Sequence, residues 1–258
     1  MNFPIDFYLG GIVIDSHLVF ELLAYFVGFN YYLYLKKTAY DPITSDQRLW
    51  IIVGGALGAA ICSKLLGLLE HSEFIALSQQ SMIYLFASKT IVGGLLGGLL
   101  GVEIAKKLLG VQHSSGDLFC FPIILGIMIG RVGCFLSGIE DGTHGSPTDF
   151  MLGMNLGDGI PRHPTALYEI GVLMLIWIFL NSAKKRVALA EGSLFRLFMI
   201  SYLSWRFGVE FIKPVYQYEP IGLSAIQLAC LVGLIYYSKF IIFPTKLLKP
   251  VKITKITQ

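Results

Sequence analysis

Charged residues are scarce in this chain. Asp, Glu, Lys and Arg make up 14% of its 258 residues, whereas 55% are hydrophobic. A soluble domain of ordinary composition carries about 25% charged residues. The mean hydropathy of +0.67 points the same way. The composition therefore excludes an ordinary soluble domain and indicates an integral membrane protein.

Cysteine pairs and the common catalytic motifs are missing as well. The four cysteines lie in apolar runs and no two form a CxxC pair, so we expect buried thiols rather than a disulfide framework or a zinc site. The sequence has no HExxH, GxSxG or Walker motif. We therefore predict no metal and no organic cofactor. The basic residues form no patch with aromatics, so nucleic acid is not an expected partner.

Seven apolar stretches have roughly the 20 residues that a helix needs to cross a bilayer. They predict an all-α, polytopic membrane protein with seven transmembrane helices, forming a single domain over residues 1–258. In the third stretch, glycines at 93, 94, 97, 98 and 101 predict close helix packing. The stretches fall near residues 15–35, 49–69, 87–109, 118–137, 165–182, 194–212 and 221–243.

Lysine and arginine are distributed unevenly between the connecting segments. Seven crossings place most of them on one side of the membrane, and the positive-inside rule makes that side the cytoplasm. The N-terminus is then outside and the C-terminus in the cytoplasm. The N-terminus has no basic region before an apolar core, so no cleavable signal peptide is expected. The glycine-rich segment 138–164 becomes an extracytoplasmic loop.

Arg131 is set into an apolar run between Gly130 and Gly133. A charge at the centre of a bilayer costs at least about 2.5–3.5 kcal/mol, so this arginine must pair with a carboxylate or hold an anion, unless it snorkels to the headgroups. Arg206 and Glu210 are four residues apart and could neutralise each other on one helix face. Two arginines in a low-dielectric cavity are well suited to holding a phosphate, which in a membrane indicates a phospholipid headgroup.

Five segments together resemble one family. G-R-V-G-C-F-L-S-G-I-E-D-G (130–142) resembles the signature of bacterial phosphatidylglycerol–prolipoprotein diacylglyceryl transferases, and H-P-T-A-L-Y-E (163–169) resembles a second motif of that family. Y-L-S-W-R-F-G-V-E-F-I-K-P (202–214), G-L-S-A-I-Q-L (222–228) and A-Y-F-V-G-F (24–29) resemble three more. The matches occur in the family's order and extend from the first stretch to the seventh.

The resemblance implies a reaction and the membrane in which it occurs. The family transfers the diacylglyceryl group of phosphatidylglycerol to the lipobox cysteine of secreted preprolipoproteins, in the bacterial inner (plasma) membrane. Arg131 and Arg206 would stabilise the phosphate charge, and Tyr202 would position the lipid. The thiol must also be activated, because the thiolate is the nucleophile. The implied substrate-binding residues are Arg131, Gly133, Cys134, Ser137, Glu140, Gly142, Glu169 and Glu210.

The chain departs from the family at the residue favoured as the base. Where the family has H-G-G-L in its third span, this chain has V-G-G-L at 92–95. Lys89, three residues earlier and on roughly the same predicted helix face, is a candidate for the cation or the base. Glu21 and His163 are the other candidates for proton handling, although a lone histidine is more often a hydrogen-bonded structural residue.

The signature itself is also altered. Its two asparagines are Cys134 and Ser137 here, and its glutamate is displaced by one position to Glu140. Cys134 could be a small residue in a reshaped pocket, or it could carry a covalent thioether intermediate if a base or cation lies beside it. Two other functions stay open. One is transfer from phosphatidylglycerol or another anionic phospholipid to a different acceptor, and the other is non-catalytic lipid binding. A transporter is less consistent, because no inverted repeat is detectable.

Overall fold

The computed structural model describes residues 3–39, 41–70 and 88–249, and these are mostly helical. Two short antiparallel hairpins accompany the helices: β1 (Phe7–Leu9) with β2 (Ile12–Ile14), and β3 (Met154–Asn155) with β4 (Pro161–Arg162). Single 3-10 turns follow at Gly138–Asp141, Glu210–Ile212 and Pro244–Leu247. The helices are α1 (Ser16–Thr38), α2 (Ser45–Leu69), α3 (Ile91–Leu109), α4 (Cys120–Ser137), α5 (Thr165–Arg186), α6 (Ser193–Val209), α7 (Ala225–Tyr236) and α8 (Ser238–Ile242).

Local signals in the sequence set several helix ends. The Asp15 carboxylate accepts the backbone N–H of His17 at 2.8 Å and caps the start of α1. Ser224 and Gln227 form a reciprocal capping box at the start of α7. Gly110 ends α3 in the left-handed conformation, with φ of 68°.

In the part of the chain that the structure describes, four helical segments are long and apolar enough to cross a membrane. They are α1, α2, α4 with its 3-10 extension to Asp141, and α5, whereas α7 is a shorter apolar helix. Leu22, Phe26 and Phe29 on α1 are exposed, as expected of side chains that face lipid tails. Each of the seven predicted stretches contains a helix, while the number of crossings stays a prediction.

One prediction about the helices, the place of Lys89, was wrong. The stretch 221–243 contains two consecutive helices, α7 and α8, on either side of Tyr237, whose side chain is buried in the main core. The helix of the third stretch begins at Ile91, after Thr90 in an extended conformation. Lys89 therefore precedes α3 and shares no helix face with Val92. Residue 87, the predicted start of that stretch, lies outside the described residues.

Two closely packed helix pairs and the main hydrophobic core hold the residues of the site in place. α2 packs on α3, where Gly54 and Gly58 meet Gly97 and Gly101, so the predicted close packing of the glycines is confirmed. α1 packs along α4. The main core is formed largely by α3 to α7, with residues such as Leu173, Phe198, Met199 and Leu203 fully buried.

Candidate functional site

Arg131 lies in the middle of the bundle rather than at its surface. Its side chain is 7% exposed, and its Nη2 is 3.0 Å from Oε2 of Glu169 on α5, which is equally buried. Among the described residues, the buried Arg131 Nε–H has no hydrogen-bond acceptor. The arginine therefore pairs with a carboxylate and keeps a donor available for an anion, and it does not snorkel.

A second arginine is held beside the first. Arg206 Nη2 is 3.1 Å from Oε2 of Glu210, so the predicted i,i+4 pair is confirmed. The Tyr202 hydroxyl, on the same helix as Arg206, donates to Oε1 of Glu169 at 2.7 Å. Glu169 thus connects Arg131 to Tyr202, and all five side chains are buried. Two cations and two carboxylates balance in charge, as a low-dielectric interior requires.

The signature residues on α4 face the start of α1. A Cβ on Gly133 would lie 2.8 Å from Phe20 Cβ and 3.1 Å from His17 Cα, so a glycine is needed for the two helices to approach this closely. Cys134 Sγ is 3.5 Å from Nη1 of Arg131. Ser137 Oγ is 3.3 Å from the Ser16 hydroxyl.

The turn after α4 brings in a carboxylate that the sequence analysis did not select. Glu140, the predicted ligand, is exposed. The side chain of Asp141 beside it is 2% exposed, accepts a hydrogen bond from Thr143, and places Oδ1 2.9 Å from Nδ1 of His17. Gly142 ends the turn with φ of 68°. His17 was missed because it lies in none of the five motif segments and is far from Asp141 in sequence. Asp141 lies in the signature at 130–142, but the family's glutamate was assigned to Glu140.

Lys89 and Glu21 are brought together, although Lys89 is not on the predicted helix. Lys89 Nζ is 2.6 and 2.9 Å from the two Glu21 carboxylate oxygens, and the Tyr25 hydroxyl donates to Glu21 at 3.2 Å. Lys89 and Glu21 therefore form an ion pair. Of the two roles considered for Lys89, this geometry supports the cation rather than the base.

His163 lies in the loop that precedes α5. Its Nδ1 is 3.2 Å from the Tyr168 hydroxyl, and its ring is near that of Phe150. Its backbone N–H and C=O bond to Ser146 and Gly145. These contacts match the structural role considered for this histidine, and its part in proton transfer stays a prediction.

Lys213 is a third cation near the arginine pairs that the sequence analysis did not select. Burial, together with the positive charge of Arg206, lowers the pKa of Lys213 to about 8. Glu210 and Glu169 oppose this shift, and Arg131 adds to it. The motif at 202–214 contained the signal, because Lys213 is its second-to-last residue.

Fold and site together define a helical membrane protein that buries two arginine–carboxylate pairs and a tyrosine in the middle of its bundle. The family model described as prolipoprotein diacylglyceryl transferase matches residues 4–243. The chain belongs to the prolipoprotein diacylglyceryl transferase family, and the resemblance noted in its motifs is confirmed.

Curated relatives agree with this assignment. The chain is 30% identical over 216 residues to a protein of Coxiella burnetii (strain RSA 331 / Henzerling II), a match that covers 81% of each chain. It is 34% identical over 177 residues to one of Bordetella bronchiseptica, covering 64% of this chain and 61% of the relative. It is 28% identical to one of Methylobacillus flagellatus, covering 74% and 77%. All three are named phosphatidylglycerol–prolipoprotein diacylglyceryl transferase.

Proposed function

We propose that this protein transfers the diacylglyceryl group of phosphatidylglycerol to the lipobox cysteine thiol of secreted preprolipoproteins. The observation that carries the proposal is the buried pair Arg131 and Arg206, held by Glu169 and Glu210 around Tyr202. We further propose seven crossings of the bacterial inner membrane, with the N-terminus outside and the 138–164 loop on the extracytoplasmic side.

The reaction replaces a carbon–oxygen bond by a carbon–sulfur bond. The thiol sulfur attacks the glycerol carbon, the bond to the phosphate oxygen breaks, and glycerol phosphate leaves with one more negative charge on its phosphate. Arg131 and Arg206 would stabilise that charge. Hydrogen-bond donors that are preorganised in a site without water stabilise developing charge most strongly. The Nε–H of Arg131, which has no acceptor among the described residues, is one such donor. Tyr202 would orient the headgroup.

Complementation tests the proposal directly. The chain is expressed in bacteria depleted of their own transferase, and a reporter preprolipoprotein is followed by intact mass and by incorporation of labelled phosphatidylglycerol. We expect a diacylglyceryl group in thioether linkage on the lipobox cysteine. A folded, membrane-inserted protein that modifies no reporter would contradict the proposal.

Transfer to another acceptor is the second candidate function. Val92, where the family has its histidine, is an apolar side chain fully buried in the main core. An altered site of this kind could serve a different nucleophile. Labelled phosphatidylglycerol supplied without a preprolipoprotein would then give a labelled product that depends on Arg131.

Lys89 gives a prediction that separates its two candidate roles. We expect Lys89→Arg to keep transfer within about threefold of wild type, since arginine retains the charge beside Glu21 but cannot act as a base near neutral pH. We expect Lys89→Ala to lose on the order of tenfold, because Glu21 then lacks its partner. Initial rates with the reporter measure both. Loss of activity in Lys89→Arg equal to that in Lys89→Ala would favour the base.

Lys213 gives a prediction about pH. Its pKa is about 8, so its ammonium is present below this pH and is lost as the pH rises, with about a tenth remaining one unit higher. If this charge helps to hold the phosphate, the rate ratio of Lys213→Arg to wild type should rise about tenfold between about pH 7 and about pH 9. Taking the ratio of the two rates cancels the effects of other groups that titrate in both proteins. A constant ratio would exclude Lys213 from phosphate binding.

A further inference from the structure

Three side chains with metal-binding chemistry meet where α1, α4 and the following 3-10 turn converge. A His17 ring nitrogen, the Cys134 sulfur and an Asp141 carboxylate oxygen all lie within 4.8 Å of one another. His17 is more than a hundred positions from the other two residues in the chain, so the fold brings it to them. Cys134 and Asp141 both lie in the signature at 130–142, but the resemblance gives neither of them a metal-binding role, and His17 lies in none of the five segments.

The fold holds each donor in place. The Asp15 cap fixes the backbone at His17, and Gly133 lets α1 approach α4 closely enough for the imidazole to reach the turn. Thr143 donates to the Asp141 carboxylate and orients it. An oriented carboxylate and a capped helix end are the kind of support that surrounds metal ligands.

The cluster is closed on one side and open on the other. The side chain of Asp141 is 2% exposed, Cys134 is 8% exposed, and the side chain of His17 is 40% exposed. A metal held by these three residues would keep a coordination position directed toward the exposed side. Three protein ligands and one open position are the arrangement of catalytic zinc sites.

We propose that His17, Cys134 and Asp141 bind a single Zn²⁺ ion. Sulfur, imidazole nitrogen and carboxylate oxygen form a donor set that suits zinc, whereas magnesium and calcium prefer oxygen ligands alone. Charge balance also fits. Binding releases the thiol proton of Cys134 and replaces the contact between His17 and Asp141, and two anionic ligands then neutralise the dication. The Arg131 guanidinium, 3.5 Å from Sγ and paired with Glu169, can donate to the thiolate.

The role that we assign to the metal rests on the proposed diacylglyceryl transfer. The preprolipoprotein thiol binds at the open position and releases its proton, because a thiol coordinated to zinc is deprotonated. Its sulfur electron pair forms the new bond to the glycerol carbon while the carbon–oxygen bond breaks. Glycerol phosphate leaves with that electron pair. Zinc would thereby activate the thiol in a chain that has Val92 where the family has its histidine.

Metal content tests the site without any assay of transfer. The full chain is purified in mild detergent, equilibrated with Zn²⁺, desalted and analysed by plasma mass spectrometry. We expect one zinc per chain, and loss of that zinc in Cys134→Ala, His17→Ala and Asp141→Asn. Cys120→Ala and His113→Ala are matched controls that remove a cysteine and a histidine elsewhere, and both should retain the metal. Less than stoichiometric zinc in wild type, or full zinc in Cys134→Ala, would overturn the site.

Cobalt identifies the ligand. Co²⁺ in place of zinc should give a thiolate-to-cobalt charge-transfer band in wild type and Cys120→Ala, and no such band in Cys134→Ala. Circular dichroism of each variant checks that its helices are retained. A band that survives in Cys134→Ala would assign the metal to other ligands and overturn the proposal.

Activity after metal removal tests the role in transfer. We expect a chelator to abolish modification of the reporter and Zn²⁺ to restore it, in wild type and Cys120→Ala alike. Full transfer by zinc-free protein would overturn the metal's role and leave the proposed function standing. Stoichiometric zinc on the three residues without transfer to any reporter would instead refute the proposed function and leave the site standing. Labelled lipid attached covalently to Cys134 in zinc-free protein would mean that Cys134 acts as a nucleophile and not as a metal ligand.

Discussion

Substitution of Arg131 by glutamine should lower diacylglyceryl transfer about 100- to 1,000-fold, the usual cost of removing one donor that stabilises developing charge. The guanidinium is buried, its Nε–H has no acceptor among the described residues, and the new negative charge of the reaction falls on the phosphate. Initial rates with a reporter preprolipoprotein and labelled phosphatidylglycerol measure the effect. Arg206→Gln should behave similarly.

A loss of stability must be separated from a loss of catalysis in this experiment. Arg131→Gln leaves the Glu169 carboxylate buried without its partner, which costs about 3–5 kcal/mol. The double variant Arg131→Gln/Glu169→Gln removes both charges, and should therefore fold well and still fail to transfer. A matched control removes the buried pair of Arg48 and Asp41, which lies in another part of the bundle.

The two double variants distinguish a catalytic role of Arg131 from a structural one. Arg48→Gln/Asp41→Asn should keep transfer close to wild type, whereas the double variant at Arg131 and Glu169 should not. Rates within about tenfold of wild type in the latter would mean that the arginine is structural. The phosphate would then have to be held by other cations, and Arg206 and Lys213 are candidates for this role.

Features that depend on short stretches of sequence could be predicted well. Helix positions followed from apolar length, and the Arg206–Glu210 pair followed from its spacing. The burial of Arg131 followed from the cost of an unpaired charge in an apolar run. Each of these inferences uses residues within a few helical turns of each other.

Contacts between distant segments could not be predicted in the same way. Nothing in a single sequence indicates that Glu169 is the partner of Arg131, or that His17 meets Asp141, because both depend on how the helices pack. Glu140 was chosen over Asp141 because a one-residue displacement was read from the family signature, whereas the 3-10 turn decides which carboxylate is buried. Lys89 was placed on α3 because hydropathy does not mark where that helix begins.

The contact between α2 and α3 leads to the largest expected effect on stability. The two backbones touch at glycines, and a Cβ on Gly101 would overlap the carbonyl oxygen of Gly54 and lie 3.3 Å from Gly58 Cα. A backbone carbonyl cannot rotate away as a side chain can, so the helices would have to separate. We expect Gly101→Ala to destabilise the protein by at least about 3 kcal/mol, the upper end of the usual cost of overpacking.

Gly98 provides the matched control, because it lies one turn earlier on the same helix and receives the same substitution. A Cβ there would be 3.5 Å from the Gly55 carbonyl oxygen and 3.6 Å from Ala59 Cβ, which is ordinary contact. Gly98→Ala should be neutral, or more stable by up to about 1 kcal/mol, because alanine favours the helix. Thermal unfolding in detergent, followed by tryptophan fluorescence, should show a midpoint roughly 6–12 °C lower for Gly101→Ala alone. Equal midpoints in the two variants would mean that α2 and α3 are not in backbone contact. The packing of α3 on α2 would then not be what places Lys89, just before α3, beside Glu21.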